Sequence, residues 1–151
     1  MLEHKIPPPI VMLTSLAGVY LSSQTSSLSA LTIEAPLWLS IATAVLGLGI
    51  MLSGALEFRK AKTTVNPLNP EQASELVISG VFKITRNPMY LGMSLIIIAA
   101  SLALGNLIGL AWMMGFMLYI QVFQIKPEEK AMHKLFGDSF ADYCQQVRRW
   151  I

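Results

Sequence analysis

Residues 85–92 read Thr-Arg-Asn-Pro-Met-Tyr-Leu-Gly and mark the point where a polar, basic loop runs into a long apolar segment. Asn87 is predicted to cap a helix, because its side-chain oxygen can accept a hydrogen bond from a backbone N–H two or three residues on. Pro88 suits the first position of that helix, because its φ is preset and the N–H it lacks would have no partner there. The sequence therefore predicts that a membrane helix begins at this boundary.

The start of this helix is also a candidate binding site. Its first turn carries unpaired N–H groups and the positive end of the helix dipole, so with Arg86 beside it the site can hold a carboxylate or a phosphate. Tyr90 follows on the same turn. The octapeptide also has a purely structural interpretation, in which a well-capped membrane helix carries a positive-inside arginine and an interfacial tyrosine.

The composition indicates an integral membrane protein. Of the 151 residues, 54% are hydrophobic and only 13% are charged, whereas soluble domains have about 25% charged residues. The mean hydropathy is +0.55. Apart from Lys5, all Lys and Arg residues lie in 59–86 or 126–149. These clusters lack the aromatic interleaving of a nucleic-acid-binding face, and they indicate cytoplasmic loops.

The hydropathy pattern predicts an all-α membrane bundle of about four transmembrane helices with a cytosolic helical tail, all in one domain of residues 1–151. A bilayer core of roughly 30 Å requires about 20 apolar residues. The predicted spans are 10–31, 37–58, 89–104 and 107–123, and the predicted tail is 127–151. The first apolar segment has features of a secretory signal, but its length favours retention as a span. We expect a multi-pass protein of the bacterial inner membrane with both termini in the cytoplasm.

Three features predict how these helices pack. Gly47, Gly49 and Gly54 give the second span small faces on which another helix can approach closely. Residues 105–106, Gly-Asn, predict a tight hairpin that returns the chain to the side it left. The loop 63–85 has Asn-Pro turns at 66–67 and 69–70, and its apolar residues are expected to fold back under the membrane.

The tail is predicted to be an amphipathic helix that begins near Pro127 and breaks near Gly137. Its apolar residues recur at spacings of four, four, three and four, which is one helical stripe. The stripe consists of Met132, Phe136, Phe140, Tyr143 and Val147. Such a tail can lie on the inner membrane surface, or it can cover the mouth of the hairpin and close a pocket against Arg86 and Tyr90.

Several short motifs, in this order and spacing, resemble the isoprenylcysteine carboxyl methyltransferase and phospholipid methyltransferase superfamily of integral membrane enzymes. The resemblance covers roughly the C-terminal two thirds of the chain. It implies a multi-span fold in which S-adenosylmethionine binds on the cytosolic side, between the last two membrane helices and the C-terminal segment. The motifs are Thr-Thr-Val-Asn-Pro at 63–67, Ser-Gly-Val-Phe at 79–82, Arg-Asn-Pro-Met-Tyr-Leu-Gly at 86–92, Glu-Glu at 128–129, Phe-Gly at 136–137, Tyr143, and Val-Arg-Arg-Trp at 147–150.

The resemblance also implies which residues form the site. The family motif is Arg-His-Pro-x-Tyr, and here Asn87 replaces the histidine, which keeps a hydrogen-bonding side chain and removes a titratable one. Arg86 and Glu129 are the predicted catalytic residues. The predicted cofactor-binding residues are Arg86, Asn87, Pro88, Tyr90, Leu91, Glu128, Glu129, Tyr143 and Arg149.

The chemistry of these residues suits that cofactor. S-adenosylmethionine presents a carboxylate, an adenine and a sulfonium cation, and the chain offers a helix start with Arg86, apolar walls and the adjacent Glu128 and Glu129. Methyl transfer is an in-line displacement, so holding donor and acceptor in line with water excluded can supply most of the catalysis. No metal is expected, because His4 and His133 are the only histidines. We expect His133 to be a surface residue and the lone Cys144 to be a small packing group.

Two other functions are compatible with the sequence. A membrane reductase could place a nicotinamide dinucleotide in a similar cytosolic pocket, although the arginines provide few evident phosphate-binding positions. A non-catalytic membrane subunit could use the same residues to anchor a small bundle. The expected partners are the lipid bilayer and a small-molecule or lipid methyl acceptor, with no nucleic acid. Thiol, carboxylate, amine and lipid acceptors all stay open, as does the oligomeric state.

Overall fold

A computed structural model describes residues 6–25, 31–61 and 74–151 of the chain. Within these ranges the chain is helical apart from its loops and one antiparallel β-bridge between Thr32 and Asn106. The all-α prediction is therefore confirmed for the described residues. The predicted turns at 66–67 and 69–70 and the motif at 63–67 lie outside them. The helices are α1 (Pro8–Ser23), α2 (Leu37–Lys60), α3 (Pro88–Ala103), α4 (Ile108–Ile120) and α5 (Lys126–Gln146).

Two short turns complete the helical part of the chain. A 3₁₀ turn at Gly80–Lys83 precedes α3. A π-helical turn at Gln121–Ile125 joins α4 to α5 without a break. The tail helix therefore continues directly from the fourth apolar helix instead of beginning anew near Pro127.

Two helices in the described ranges are long and apolar enough to cross a membrane, Leu37–Lys60 and the continuous helix Ile108–Gln146. The apolar part of the second is 108–125, which contains no charged residue, and its charged groups begin at Lys126. Helices α1 and α3 are apolar but have 16 residues each. Each therefore covers about 24 Å. Four spans remain a prediction, in which the two short helices recruit flanking residues or thin the bilayer.

Close backbone contact joins α2 to α3. A Cβ added to Gly47 would lie 2.8 Å from the carbonyl oxygen of Gly92, and one added to Gly54 would lie 2.9 Å from Cγ of Pro88. Both positions therefore act as the small faces that the sequence predicts. Gly49 differs, because nothing lies within 4 Å of a Cβ at that position.

The main core lies between α1, α3, α4 and the π-helical turn. Its buried members are apolar apart from the tyrosine hydroxyl: Val19, Tyr90, Met93, Ile97, Phe116, Ile120 and Ile125. At the α3–α4 loop, the buried Asn106 donates from Nδ2 to the carbonyl of Val19 at 3.1 Å and to Oγ of Ser22 at 2.8 Å. The hairpin is thus tied to the end of α1 at one end of the bundle, and the start of α3 lies at the other.

A second apolar cluster attaches α5 to the loop before α3. Its buried members are Val77, Phe82, Phe140, Tyr143 and Val147, and Met132 and Phe136 pack against it. The predicted helical stripe is confirmed, and the apolar residues of the loop pack against α5. That they fold back under the membrane stays a prediction. The predicted break is also present, because Gly137 has φ 49° and ψ −124° inside α5. That left-handed conformation costs glycine little and would strain residues with a Cβ.

The predicted topology has a direct test. Cysteines introduced one at a time at the exposed Thr32 and Lys130, in a Cys144→Ser background, should label differently with a membrane-impermeant maleimide added to intact cells. The Thr32 cysteine should react and the Lys130 cysteine should react only after lysis, because basic residues favour the cytoplasmic side. The reverse pattern would contradict the predicted orientation.

Candidate functional site

The start of α3 has the predicted residues at the predicted positions but lacks the predicted capping hydrogen bond. Asn87 occupies the N-cap position and Pro88 begins the helix, as predicted, but no side-chain capping bond is made. Instead Nδ2 of Asn87 donates to the carbonyl of Arg149 at 2.9 Å. The predicted capping bond is therefore wrong, because residues 147–151 pass the helix start and offer a carbonyl that the sequence does not place there. We call residues 147–151 the terminal strap.

Glu129 lies between two guanidinium groups. Arg86 donates from Nη2 to Oε1 at 2.7 Å, and Arg149 donates from Nε to Oε1 at 3.0 Å and from Nη2 to Oε2 at 2.6 Å. Burial raises the pKa of Glu129, but the hydrogen bonds from Arg149 and Arg86 outweigh it and hold the pKa below its usual value. Glu129 is therefore ionised at neutral pH and links the start of α3 to the strap.

Arg86 also binds the last turn of α5 and the backbone that follows it. Its Nη1 donates to the carbonyls of Cys144 at 3.0 Å and Val147 at 2.9 Å, and its own backbone N–H donates to the carbonyl of Arg148 at 3.1 Å. The Arg86 side chain is only 11% exposed, whereas that of Arg149 is 32% exposed. Arg86 is therefore the inner, fixed arginine, and Arg149 is the outer one with more room to move.

Glu128 has a different partner from its neighbour. The hydroxyl of the buried Tyr90 donates to its Oε1 at 2.5 Å. Burial raises the pKa of Glu128 to about 7, the bond from Tyr90 lowers it, and the negative charge of Glu129 raises it further. The pKa values of the two adjacent carboxyl groups are thus shifted in opposite directions. Their contacts also differ, since they point about 100° apart on the helix.

The raised pKa of Glu128 predicts a pH dependence of stability. The folded protein holds this proton up to about pH 7, while the unfolded chain releases it near the usual glutamate pKa of 4.5. Stability from this group is therefore lost as pH rises from about 4.5 to 7, because the folded state binds more protons there. Glu128→Gln should thus gain thermal stability relative to wild type between about pH 5 and pH 8.

The control for that measurement is Glu75→Gln, because Glu75 is exposed. Thermal unfolding of the three proteins in one detergent, recorded across the same pH series, gives the comparison. An unchanged difference between Glu128→Gln and wild type across the series would contradict the raised pKa.

The other predicted site residues have structural contacts of their own. Pro88 is buried, with α2 close to its ring at Gly54. Leu91 is half-buried in the first turn of α3, and its N–H donates to the carbonyl of Asn87. Tyr143 is buried, and its hydroxyl donates to the carbonyl of Phe82 at 2.7 Å. The polar cluster that the structure does bring together consists of Arg86, Asn87, Tyr90, Glu128, Glu129 and Arg149.

Three polar residues near this cluster were not singled out from the sequence. Gln121 accepts from Nε1 of Trp150 at 3.2 Å, and the fully buried Gln124 donates to the carbonyl of Ile6 at 2.9 Å. Thr85 is also buried, and its Oγ1 accepts from the N–H of Asn87 at 3.2 Å. The glutamines had a signal, because they lie three residues apart in an otherwise apolar run just before the charged tail.

His133 and Cys144 take the roles expected of them. His133 is exposed and makes an edge-to-face contact with Phe140, with ring centroids 4.7 Å apart. Cys144 is half-buried against the second apolar cluster, and burial raises the pKa of its thiol. A group of three or more His, Cys, Asp or Glu side chains able to hold a metal ion does not occur within residues 6–25, 31–61 and 74–151.

Comparison with known families identifies the chain. Residues 35–139, more than two thirds of the protein, match the phospholipid methyltransferase family. The chain belongs to the phospholipid methyltransferase family. The resemblance noted in the short motifs is thereby confirmed, and so is the coarse assignment to the membrane methyltransferases. The matched stretch contains Arg86, Tyr90, Glu128 and Glu129, whereas Arg149 lies beyond it.

This phospholipid methyltransferase family member is also similar to a protein of Haemophilus influenzae. The Haemophilus influenzae protein is 46% identical over 65 residues, which are 42% of this chain and the whole of that protein. Its description is "Uncharacterized protein". The comparison adds a bacterial relative and assigns no activity, so the function must be argued from the family and the polar cluster.

Proposed function

We propose that this protein is an S-adenosylmethionine-dependent methyltransferase that acts on a small or lipid-like acceptor at the cytosolic face of the membrane. The observation that carries the proposal is that the family match and the polar cluster coincide. Arg86, Tyr90, Glu128 and Glu129 all lie inside the matched stretch, and the side chains meet where the apolar helices α3 and α4 give way to the polar tail.

The donor set of the cluster fits the cofactor. The two carboxyl groups can accept from an amino group or ribose hydroxyls, and the guanidinium groups can bind a carboxylate bidentately. Nε of Arg86 is buried and has no hydrogen-bond partner among the described residues. A buried donor in that state costs free energy, which an acceptor on a ligand would recover. Arg86, Tyr90, Glu128, Glu129 and Arg149 are the residues that would hold the cofactor.

The bound cofactor would supply the methyl group as an electrophile. The residues would contribute by fixing its position and excluding water, because in-line transfer gains most from a correct near-attack geometry. Glu129 is a poor candidate for electrostatic catalysis at the sulfonium. That charge disappears as the methyl group leaves, so ground-state attraction gains nothing in the transition state. Its two arginine contacts support a positioning role instead.

Ligand titration separates this function from the two alternatives. Isothermal titration of the purified protein with S-adenosylhomocysteine and, separately, with NADPH should show binding of the first and none of the second. Binding of NADPH alone would favour a reductase, and binding of neither would favour a non-catalytic subunit. Transfer of labelled methyl groups from S-adenosylmethionine to a membrane lipid extract or to a soluble small-molecule pool would then assign the acceptor class.

A further inference from the structure

Asn87 has an unusual position among the residues at the start of α3. Its backbone is at the N-cap, yet its side chain makes no bond to its own helix. The Nδ2 group instead reaches a carbonyl 62 residues away, that of Arg149, at 2.9 Å. An N-cap asparagine that makes no capping bond forgoes the helix stability that such a bond contributes. Its side chain therefore stabilises the terminal strap instead of the helix.

Residues at the start of α3 bind the strap through its backbone carbonyls. Arg86 binds those of Val147 and Arg148, through Nη1 and through its backbone N–H respectively. Asn87 binds that of Arg149. Because Arg86 also binds Glu129, its removal would disturb the strap and the ion pairs together. Asn87 is the contact that can be removed while the Arg86–Glu129 pair stays in place.

The anchored carbonyl belongs to the residue whose side chain binds Glu129. The guanidinium of Arg149 donates twice to that carboxylate, at 3.0 and 2.6 Å. Arginine loses much rotamer entropy when it is fixed in one geometry, so a bidentate contact depends on a well-placed backbone. Thr85 lies beside this anchor, with its Oγ1 3.4 Å from the same carbonyl.

We propose that Asn87 is a positioning residue, which holds the terminal strap against the start of α3 so that Arg149 meets Glu129. The inference rests on the proposed function, because it assigns Asn87 an indirect role in binding the methyl donor S-adenosylmethionine. It replaces the direct cofactor contact that the sequence suggests for this position. In this role the side chain needs an N–H donor two bonds beyond Cβ and needs no titratable group.

The test uses substitutions that change only the donor. Asn87→Asp is isosteric and replaces the Nδ2 donor with an acceptor that faces the Arg149 carbonyl. Asn87→His restores an N–H donor at the equivalent atom, Nδ1. The control is Asn106→Asp at the other end of the bundle, where a buried amide donates to the carbonyl of Val19 and to Oγ of Ser22. That control loses the same kind of bond without touching the strap.

The first readout reports on the strap without any ligand. Trp150 lies in the strap and donates to Gln121, and it becomes the sole tryptophan in a Trp38→Phe/Trp112→Phe background. Its emission should shift to longer wavelength in Asn87→Asp and return toward wild type in Asn87→His. Trypsin cleavage after Arg149 is measured without the two tryptophan substitutions. It should be about ten-fold faster in Asn87→Asp than in wild type. The Asn106→Asp control should change neither.

The second readout is affinity for S-adenosylhomocysteine, which should fall about ten-fold in Asn87→Asp and recover in Asn87→His. Wild-type emission and cleavage in Asn87→Asp would overturn the proposal, as would equal changes in Asn106→Asp. A wild-type protein that binds no S-adenosylhomocysteine would instead overturn the methyltransferase function. Strap release in Asn87→Asp would then still establish the anchor, so the two failures are distinguishable.

Discussion

Glu129→Gln should weaken S-adenosylhomocysteine binding by about 1.5–3 kcal/mol, the usual contribution of hydrogen bonds to a charged group. Glu129 accepts from both Arg86 and Arg149, at 2.7 and 2.6 Å on its two oxygens. A neutral amide presents an NH₂ group to one of these guanidinium groups, so the two arginines would move apart. The cofactor would then meet a site whose cationic groups are no longer held in one place.

The comparison that makes this prediction specific is Glu128→Gln. Glutamine keeps an oxygen that can accept from the Tyr90 hydroxyl, so the only described hydrogen bond of Glu128 survives. We expect a loss several-fold smaller than in Glu129→Gln, and no loss in the exposed Glu75→Gln. Isothermal titration of the three variants measures this directly. Equal losses at 128 and 129 would contradict the separate roles of the two carboxyl groups.

Arg86→Ala should lower the free energy of unfolding by about 2–4 kcal/mol and should also weaken S-adenosylhomocysteine binding. The substitution leaves the largely buried Glu129 with Arg149 as its remaining cation, and it leaves two carbonyls, those of Cys144 and Val147, without their donor. Unfolding in urea, followed by circular dichroism in detergent, gives the first quantity and titration gives the second.

Two further substitutions define the cause of the Arg86 effect. Arg86→Lys keeps the charge but loses the planar fork that reaches two carbonyls and a carboxylate together, so it should recover less than half of the lost stability. Arg148→Ala removes a neighbouring exposed arginine and should leave both quantities unchanged. Full recovery in Arg86→Lys would mean that charge alone matters at this position, which would assign Arg86 to membrane topology.

Local sequence patterns determined much of the fold, because they depend on neighbours along the chain. The apolar run at 37–58 lies within α2, which extends to Lys60. The spacing of Phe140, Tyr143 and Val147 predicted their shared burial, since a helix brings such residues to one face. The absence of side chains at Gly47 and Gly54 predicted that another helix could approach α2 there, and that helix is α3. The short motifs likewise indicated the methyltransferase family that the match over residues 35–139 shows.

Other features depend on contacts between distant parts of the chain. Asn87 has the residue type and position of a helix cap, and only the arrival of the Arg149 carbonyl redirects its amide. The π-helical turn that makes α4 and α5 continuous carries no glycine or proline that would predict it. The sequence also does not reveal that Asn106 binds the end of α1, 87 residues earlier in the chain.

The polar cluster divides along the same line. By itself the sequence determined that a basic, proline-started helix and a pair of adjacent glutamates belong to one family motif set, because those signals are local. Only the tertiary structure decided that Glu128 binds Tyr90 while Glu129 binds Arg86 and Arg149. The physical reason is geometric, because the strap, the helix start and α5 converge there. Whether a hydrogen bond forms depends on the angle at the donor and on a donor–acceptor distance that can vary by only a few tenths of an ångström.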